Sequence, residues 1–204
     1  MIFPIGDDQV KGGHFPLLSY SFIALNVGIF LFQISLPPNQ LNAFIFEYGS
    51  IPVETMQGKD LFTLVTSMFL HGGWMHLIGN MLFLWVFADN IEATIGSFRF
   101  FIFYLLGGLA AHAAHIYFNL YSEIPTVGAS GAISAVMGAY LVMFPTSRIR
   151  VLFIIFSFNV SAYIFLGLWI WQQWMSGTAA LEVNTAETAG VAWWAHIGGF
   201  AFGL

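Results

Sequence analysis

Apolar residues along this chain fall into six long runs separated by short polar breaks, at about 17–36, 74–88, 98–118, 129–144, 151–174 and 191–204. A helix crossing the roughly 30 Å hydrocarbon layer of a bilayer needs about 20 apolar residues. The runs therefore predict an all-α, polytopic membrane bundle of six helices behind a 1–16 N-terminal tail. Pro37-Pro38 closes the first run and Pro145 the fourth, as expected of a residue that lacks an amide donor and biases its predecessor away from helix. The sixth run would give only about 21 Å of helix, so it is predicted to be a span cut short at Leu204, with the natural protein continuing. The segment 37–70, with its apolar patches LNAFIFEYG and LFTLVTSMFL, is long for a connection and predicts short helices of its own in the membrane interface.

Composition strengthens the membrane reading. Of 204 residues, 58% are apolar, 18% aromatic and only 7% charged, against roughly 25% charged in soluble domains. Most of the exterior must therefore face lipid. A net charge of −5 gives no reason to expect a nucleic-acid partner. The absence of cysteine excludes disulfides and thiolate metal sites. The opening MIFPIGDDQVKGG lacks a basic-then-apolar signal layout, so the first run is expected to be retained as a span. Lys11, Arg99, Arg148 and Arg150 would share one side of the membrane and Lys59 the other. The positive-inside bias then predicts a cytoplasmic N-terminus, and the expected location is a bacterial inner membrane.

With that topology the second, fourth and sixth helices all start at the outer face. HGGWMHLIGN opens the second with His71, His76 and Asn80, GASG opens the fourth with Ser130, and VAWWAHIGG opens the sixth with His196. Each polar group lies within about two turns of its outer helix end, roughly 10 Å below the interface. Polar side chains at such depth are costly unless they face the bundle interior or a wet cavity. A serine becomes a nucleophile when an imidazole accepts its proton, and acyl transfer also needs donors for the developing oxyanion. His76 and Asn80, one turn apart, share a helix face, and the Ser130 amide at a helix start is a third candidate donor. No acidic residue falls in the outer half of a helix, so a Ser–His dyad is favoured over a triad. Gly131, Ala135 and Ala139, and Ala195, Gly199 and Gly203, repeat at four-residue spacing. Two such small-residue ladders would let their helices pack closely and draw Ser130 to His196.

Together these motifs resemble the rhomboid family of intramembrane serine proteases. GASG is similar to the family's Gly-x-Ser-Gly, AHIGGFAFG to its Ala-His-x-x-Gly-x-x-x-Gly, and HGGWMHLIGN to its second-helix motif; GSFRFFIFYLLGG, preceded by Glu92, is similar to the start of its third helix. The resemblance implies a six-helix core with the site open to the outer face. It implies Ser130 as nucleophile, His196 as general base, and His76, Asn80 and the Ser130 amide around the oxyanion. His71, Gly128, Gly131, Gly199 and Gly203 would support them. Substrates would be transmembrane proteins, cut near a small residue where a helix unwinds, entering beside the fifth helix under a cap formed by about 175–190. No cofactor or metal is implied, and the oligomeric state is left open.

Two positions depart from the family pattern. Phe62-Thr63 stands where many members have Trp-Arg, and Ser134 stands where some place an aromatic against the base histidine, so another group must orient His196. Other readings compete: Ser130 as a small residue in a helix contact, His76 and Asn80 as interhelical glue, and His71 as a helix cap or a partner for a loop carbonyl. His112 and His115 would be ordinary polar packing. A non-catalytic chain that binds or escorts transmembrane segments would use the same cavity. A haem or metal protein would draw on His71, His76, His112, His115 or His196, without any diagnostic ligand spacing.

Overall fold

A computed structural model describes residues 2–8, 13–183 and 191–204. The chain is mainly helical: α1 (Leu17–Ser35), α2 (Pro38–Tyr48), α3 (Pro52–Met56), α4 (Thr63–Thr66) with a 3-10 turn at Ser67–Phe69, α5 (Trp74–Ile95), α6 (Ser97–Phe118), α7 (Ser130–Met143), α8 (Ala162–Val183) and α9 (Trp193–Gly203). By length and apolarity α1 and α6 are long enough to cross a membrane, and α7 is a shorter apolar helix. The segment 37–70 forms short helices, as its apolar patches predict.

The all-α expectation needs correction. Three strands, β1 (Ile2–Gly6), β2 (Arg148–Phe153) and β3 (Phe156–Ser161), form an antiparallel sheet in the order β1-β2-β3. The stretch read as the start of a fifth span, 151–161, is thus hairpin, and the helix begins only at Ala162. Period-two alternation explains why: Ile149 and Val151 are fully buried while Arg148 and Arg150 between them are exposed, and β-branched residues favour the pleat. Amides of Ala162 and Tyr163 donate to the carbonyls of Ser147 (2.8 Å) and Pro145 (3.0 Å), closing the loop between α7 and α8. The expected cap at 175–190 is also revised. Residues up to Val183 continue α8, and the remaining part, 184–190, lies outside the described residues.

The centre of the molecule is α7, buried from Gly131 to Tyr140 and packed most closely on α6 and α9. Backbones touch here because glycines remove the side chains between them. A Cβ at Gly199 would run into the Gly131 carbonyl oxygen, one at Gly203 into the Ala135 carbonyl oxygen, and one at Gly138 into the Phe200 carbonyl oxygen. The two small-residue ladders therefore face each other.

At the end of the bundle away from Ser130, polar residues hold the helices in register. Glu92 is fully buried and accepts from the amides of Leu18 (2.9 Å) and Ser19 (2.7 Å) and the Ser19 hydroxyl (2.7 Å). It thereby satisfies donors that the first turn of α1 leaves without intrahelical partners, and Ser97 Oγ at the start of α6 donates to it as well. Asp7 accepts from Asn90 on α5 and from the Tyr140 hydroxyl on α7, tying the sheet's edge to the bundle. Gly96, at φ +82°, joins α5 to α6 through a single residue, a left-handed position that suits glycine.

Candidate active site

Ser130 is the first residue of α7 and His196 lies in the first turn of α9. The close approach at Gly131 and Gly199 brings these helix starts together, and Ser130 Oγ lies 2.8 Å from His196 Nε2. On the other side of the ring, His196 Nδ1 is 2.7 Å from Gln173 Oε1. A carbonyl oxygen only accepts, so Nδ1 carries the proton. Nε2 then offers its lone pair to the Ser130 hydroxyl. The Trp169 ring is tilted against His196 with centroids 5.8 Å apart. Ser134, where the family pattern allows an aromatic, instead donates back to the Ser130 carbonyl at 2.6 Å.

Gln173 and Trp169 sit one turn apart on α8, and the sequence reading singled out neither. The available signal was the Gln172-Gln173 pair inside the apolar run ending WIWQQWM, since an amide in a membrane helix usually has a partner or a cavity.

A cavity of about 820 Å³ opens beside the pair, lined by His76, Asn80, Gly128, Ser130, Trp169 and His196 among others. The Gly72 amide donates to His76 Nδ1 at 3.3 Å, which leaves Nε2 as the protonated, donating nitrogen. Asn80 is 7% exposed, and its Nδ2 is a buried donor without a hydrogen-bond partner among the described residues. The Ser130 amide, at the start of α7, has no carbonyl one turn back to bind. Three donors thus lie around one cavity beside one hydroxyl. Gly128 makes this possible: its φ is +129°, and a Cβ there would sit 2.7 Å from His76 Nε2 and 3.6 Å from Asn80 Nδ2. Its amide donates to the Ser67 carbonyl at 2.9 Å, pinning the segment that leads into Ser130.

His71 stands one layer out. Its amide donates to Gln33 Oε1 at 3.0 Å and its carbonyl accepts from Gln33 Nε2 at 3.3 Å, clasping this loop to α1. Its ring packs edge-on against His76, centroids 5.1 Å apart. Burial first, and the neighbouring His76 second, push the His71 imidazole down to about 4, so it is neutral near pH 7. His112 Nε2 pairs with Ser67 Oγ at 3.1 Å and His115 Nε2 with Thr126 Oγ1 at 2.9 Å, so both act as ties between elements. Among the described residues no group of three or more His, Asp or Glu side chains is arranged to hold a metal.

The chain is similar in sequence to known proteins. The chain is 26% identical over 192 residues to the mitochondrial Rhomboid protein 1 of Saccharomyces cerevisiae, covering 92% of this chain and 51% of that protein. It is 32% identical over 134 residues to Rhomboid protease GluP of Bacillus subtilis, covering 65% of this chain and 26% of that one. It is 27% identical over 194 residues to the bovine mitochondrial presenilin-associated rhomboid-like protein, covering 89% and 45%. The chain thus spans about half or less of these relatives. Two of the three are named as mitochondrial, so the similarity lends nothing to the bacterial inner membrane expected from the sequence. The Rhomboid domain model matches residues 58–204, well over half of the chain, and the protein belongs to the rhomboid family.

Proposed function

We propose that this protein is an intramembrane serine endopeptidase with a six-helix core, its N-terminus cytoplasmic and its site open to the opposite face. The observation that carries the reading is the 2.8 Å contact between Ser130 Oγ and His196 Nε2, with the ring tautomer that makes Nε2 a base.

The chemistry follows from these atoms. Ser130 Oγ attacks the scissile carbonyl carbon while its proton passes to His196 Nε2. The carbonyl oxygen becomes an oxyanion and accepts from His76 Nε2, Asn80 Nδ2 and the Ser130 amide. Collapse breaks the C–N bond. His196 returns the proton to the leaving amine, and the acyl group stays on Ser130 as an ester. Water then enters from the open face and gives a proton to His196 as its oxygen attacks the ester carbonyl. The C–Oγ bond breaks, His196 returns that proton to Ser130 Oγ, and the freed carboxylic acid ionises to the carboxylate in water. Substrates are transmembrane segments. A helical segment must unwind locally, because its carbonyls are otherwise engaged in i to i−4 hydrogen bonds.

The test is cleavage of a model transmembrane substrate in proteoliposomes. Two membrane-derived products are expected; intact substrate that co-purifies with the chain would instead mark an escort without catalysis. In the same assay Asn80→Ala removes one oxyanion donor and should lower kcat by about 10²-fold with little change in KM. An Asn80→Ala enzyme as fast as wild type would remove that residue from the site.

A further inference from the structure

We propose that Gln173 is a positioning residue, the neutral third member of a Ser130–His196–Gln173 relay; this rests on the protease reading above. The base needs a partner for Nδ1, and among the described residues no carboxylate contacts His196, whose ring meets Ser130, Gln173, Trp169 and Trp193. Gln173 is 4% exposed and points its amide oxygen at Nδ1 from α8, the helix that also supplies Trp169. Its oxygen selects the tautomer in which Nε2 is unprotonated, and then holds the imidazolium proton once Ser130 has been deprotonated. An uncharged acceptor does this without burying an anion in an apolar bundle. Positioning is thereby shared: α9 carries the base, while α8 sets the ring's angle and tautomer.

Gln173→Met and Gln173→Asn remove the acceptor or withdraw it by one methylene, whereas Gln173→Glu keeps an oxygen at the same reach. Cleavage by the Met and Asn variants should show kcat about 10- to 100-fold lower with KM within about twofold, and Gln173→Glu should recover most of that loss. A purely structural glutamine would lower the folded fraction and leave kcat per folded molecule unchanged. Wild-type kcat in both the Met and Asn variants, or equal losses in all three, overturns the proposal. If Ser130→Ala also cleaves, the protease reading itself fails; if cleavage needs Ser130 but not Gln173, only this inference fails.

An independent observation lies at the other end of the bundle. The hairpin is largely amphipathic across its pairing: Ile149 faces Val160, Val151 faces Phe158 and Phe153 faces Phe156 on one side, while Arg148 faces Ser161, Arg150 faces Asn159 and Leu152 faces Ser157 on the other. The apolar side begins in the core, where Ile149 and Val151 are fully buried. It emerges toward the hairpin tip, where Phe153, Phe158 and Phe156 are 43%, 47% and 69% exposed. The tip itself is Ile154-Ile155, and Ile154 is held at φ +58°, a conformation that favours Gly or Asn and penalises a β-branched residue. An exposed isoleucine kept in that strained place points to a contact made by the tip. We infer that this overhang is a membrane-docking surface whose occupant is the lipid leaflet beside the bundle. The apolar face is continuous with the packed core, and β3 leads directly into α8, so the face is held at the level of the helix ends.

The chain has no cysteine, so spin labels at Phe156→Cys, Ser157→Cys, Phe158→Cys and Asn159→Cys in proteoliposomes read each position separately. The oxygen-to-nickel-chelate accessibility ratio should oscillate with period two, several-fold higher at 156 and 158 than at 157 and 159. Equal chelate access at all four positions would put the hairpin in water and overturn the inference. Labels at 156 and 158 that are immobilised and shielded from both reagents would indicate a protein partner, and would overturn it as well.

Discussion

Ser130→Ala and His196→Ala are each expected to abolish cleavage of a transmembrane substrate, with kcat falling on the order of 10⁴- to 10⁶-fold. The two side chains act as one unit, since the hydroxyl is a poor nucleophile until Nε2, 2.8 Å away, accepts its proton. Removing either leaves the other without a task. The double variant should therefore be no slower than the worse single one, where independent contributions would multiply. Residual turnover reports what the oxyanion donors and substrate binding supply alone. Single-turnover cleavage of a fluorogenic transmembrane substrate measures all three variants. A His196→Ala enzyme within tenfold of wild type would show that another base serves Ser130.

Gly199→Ala should lower kcat by about 10²-fold from a residue that touches no substrate. The added methyl would meet the Gly131 carbonyl oxygen, with the Gly131 carbonyl carbon at 3.1 Å and Ser134 Cβ at 3.3 Å. Backbone atoms cannot rotate aside, so α9 must back away from α7. Overpacking of this kind costs about 1–3 kcal/mol. His196 lies one turn from Gly199 on the same helix, so the displacement stretches the contact to Ser130. A shift of about 1 Å in a reacting group is worth about 10²-fold in rate. Both a lower melting temperature and a loss of kcat are expected. Gly167→Ala on α8, where a Cβ meets nothing within 4 Å, is the control, and alanine's better helix propensity should leave it as stable or slightly more so. Equal behaviour of the two variants would mean that the α7–α9 contact is looser than its geometry states.

Much of the site could be read before any coordinates. Ser130, His76, Asn80 and His196 are polar residues inside apolar runs at matching depth, and such placement is costly unless the groups share a cavity. The small-residue ladders likewise predicted which helices would touch. The missed features have physical causes. RIRVLFIIFSFNVS is so rich in apolar residues that it merged with the helix after it, although its alternation of Arg148, Ile149, Arg150 and Val151 is the signature of a half-buried strand. His76, Asn80, Ser130 and His196 all lie near the starts of helices that begin at one face. Gln173 belongs to α8, which runs the other way and reaches the site from its C-terminal half. The second apolar run stops near residue 88, yet α5 continues to Ile95. Asp89, Asn90 and Glu92 break the apolar pattern, but each is buried within the bundle.

The most direct measurement is mass-spectrometric mapping of a fluorophosphonate adduct on the reconstituted protein and on its His196→Ala variant. The probe reacts only with a serine whose proton has an acceptor at hand, so it tests the dyad without any knowledge of the natural substrate. A single adduct on Ser130, absent from the His196→Ala protein, is the predicted result. A wild-type protein that cleaves substrate while Ser130 stays unmodified, or an adduct that survives loss of His196, would contradict it.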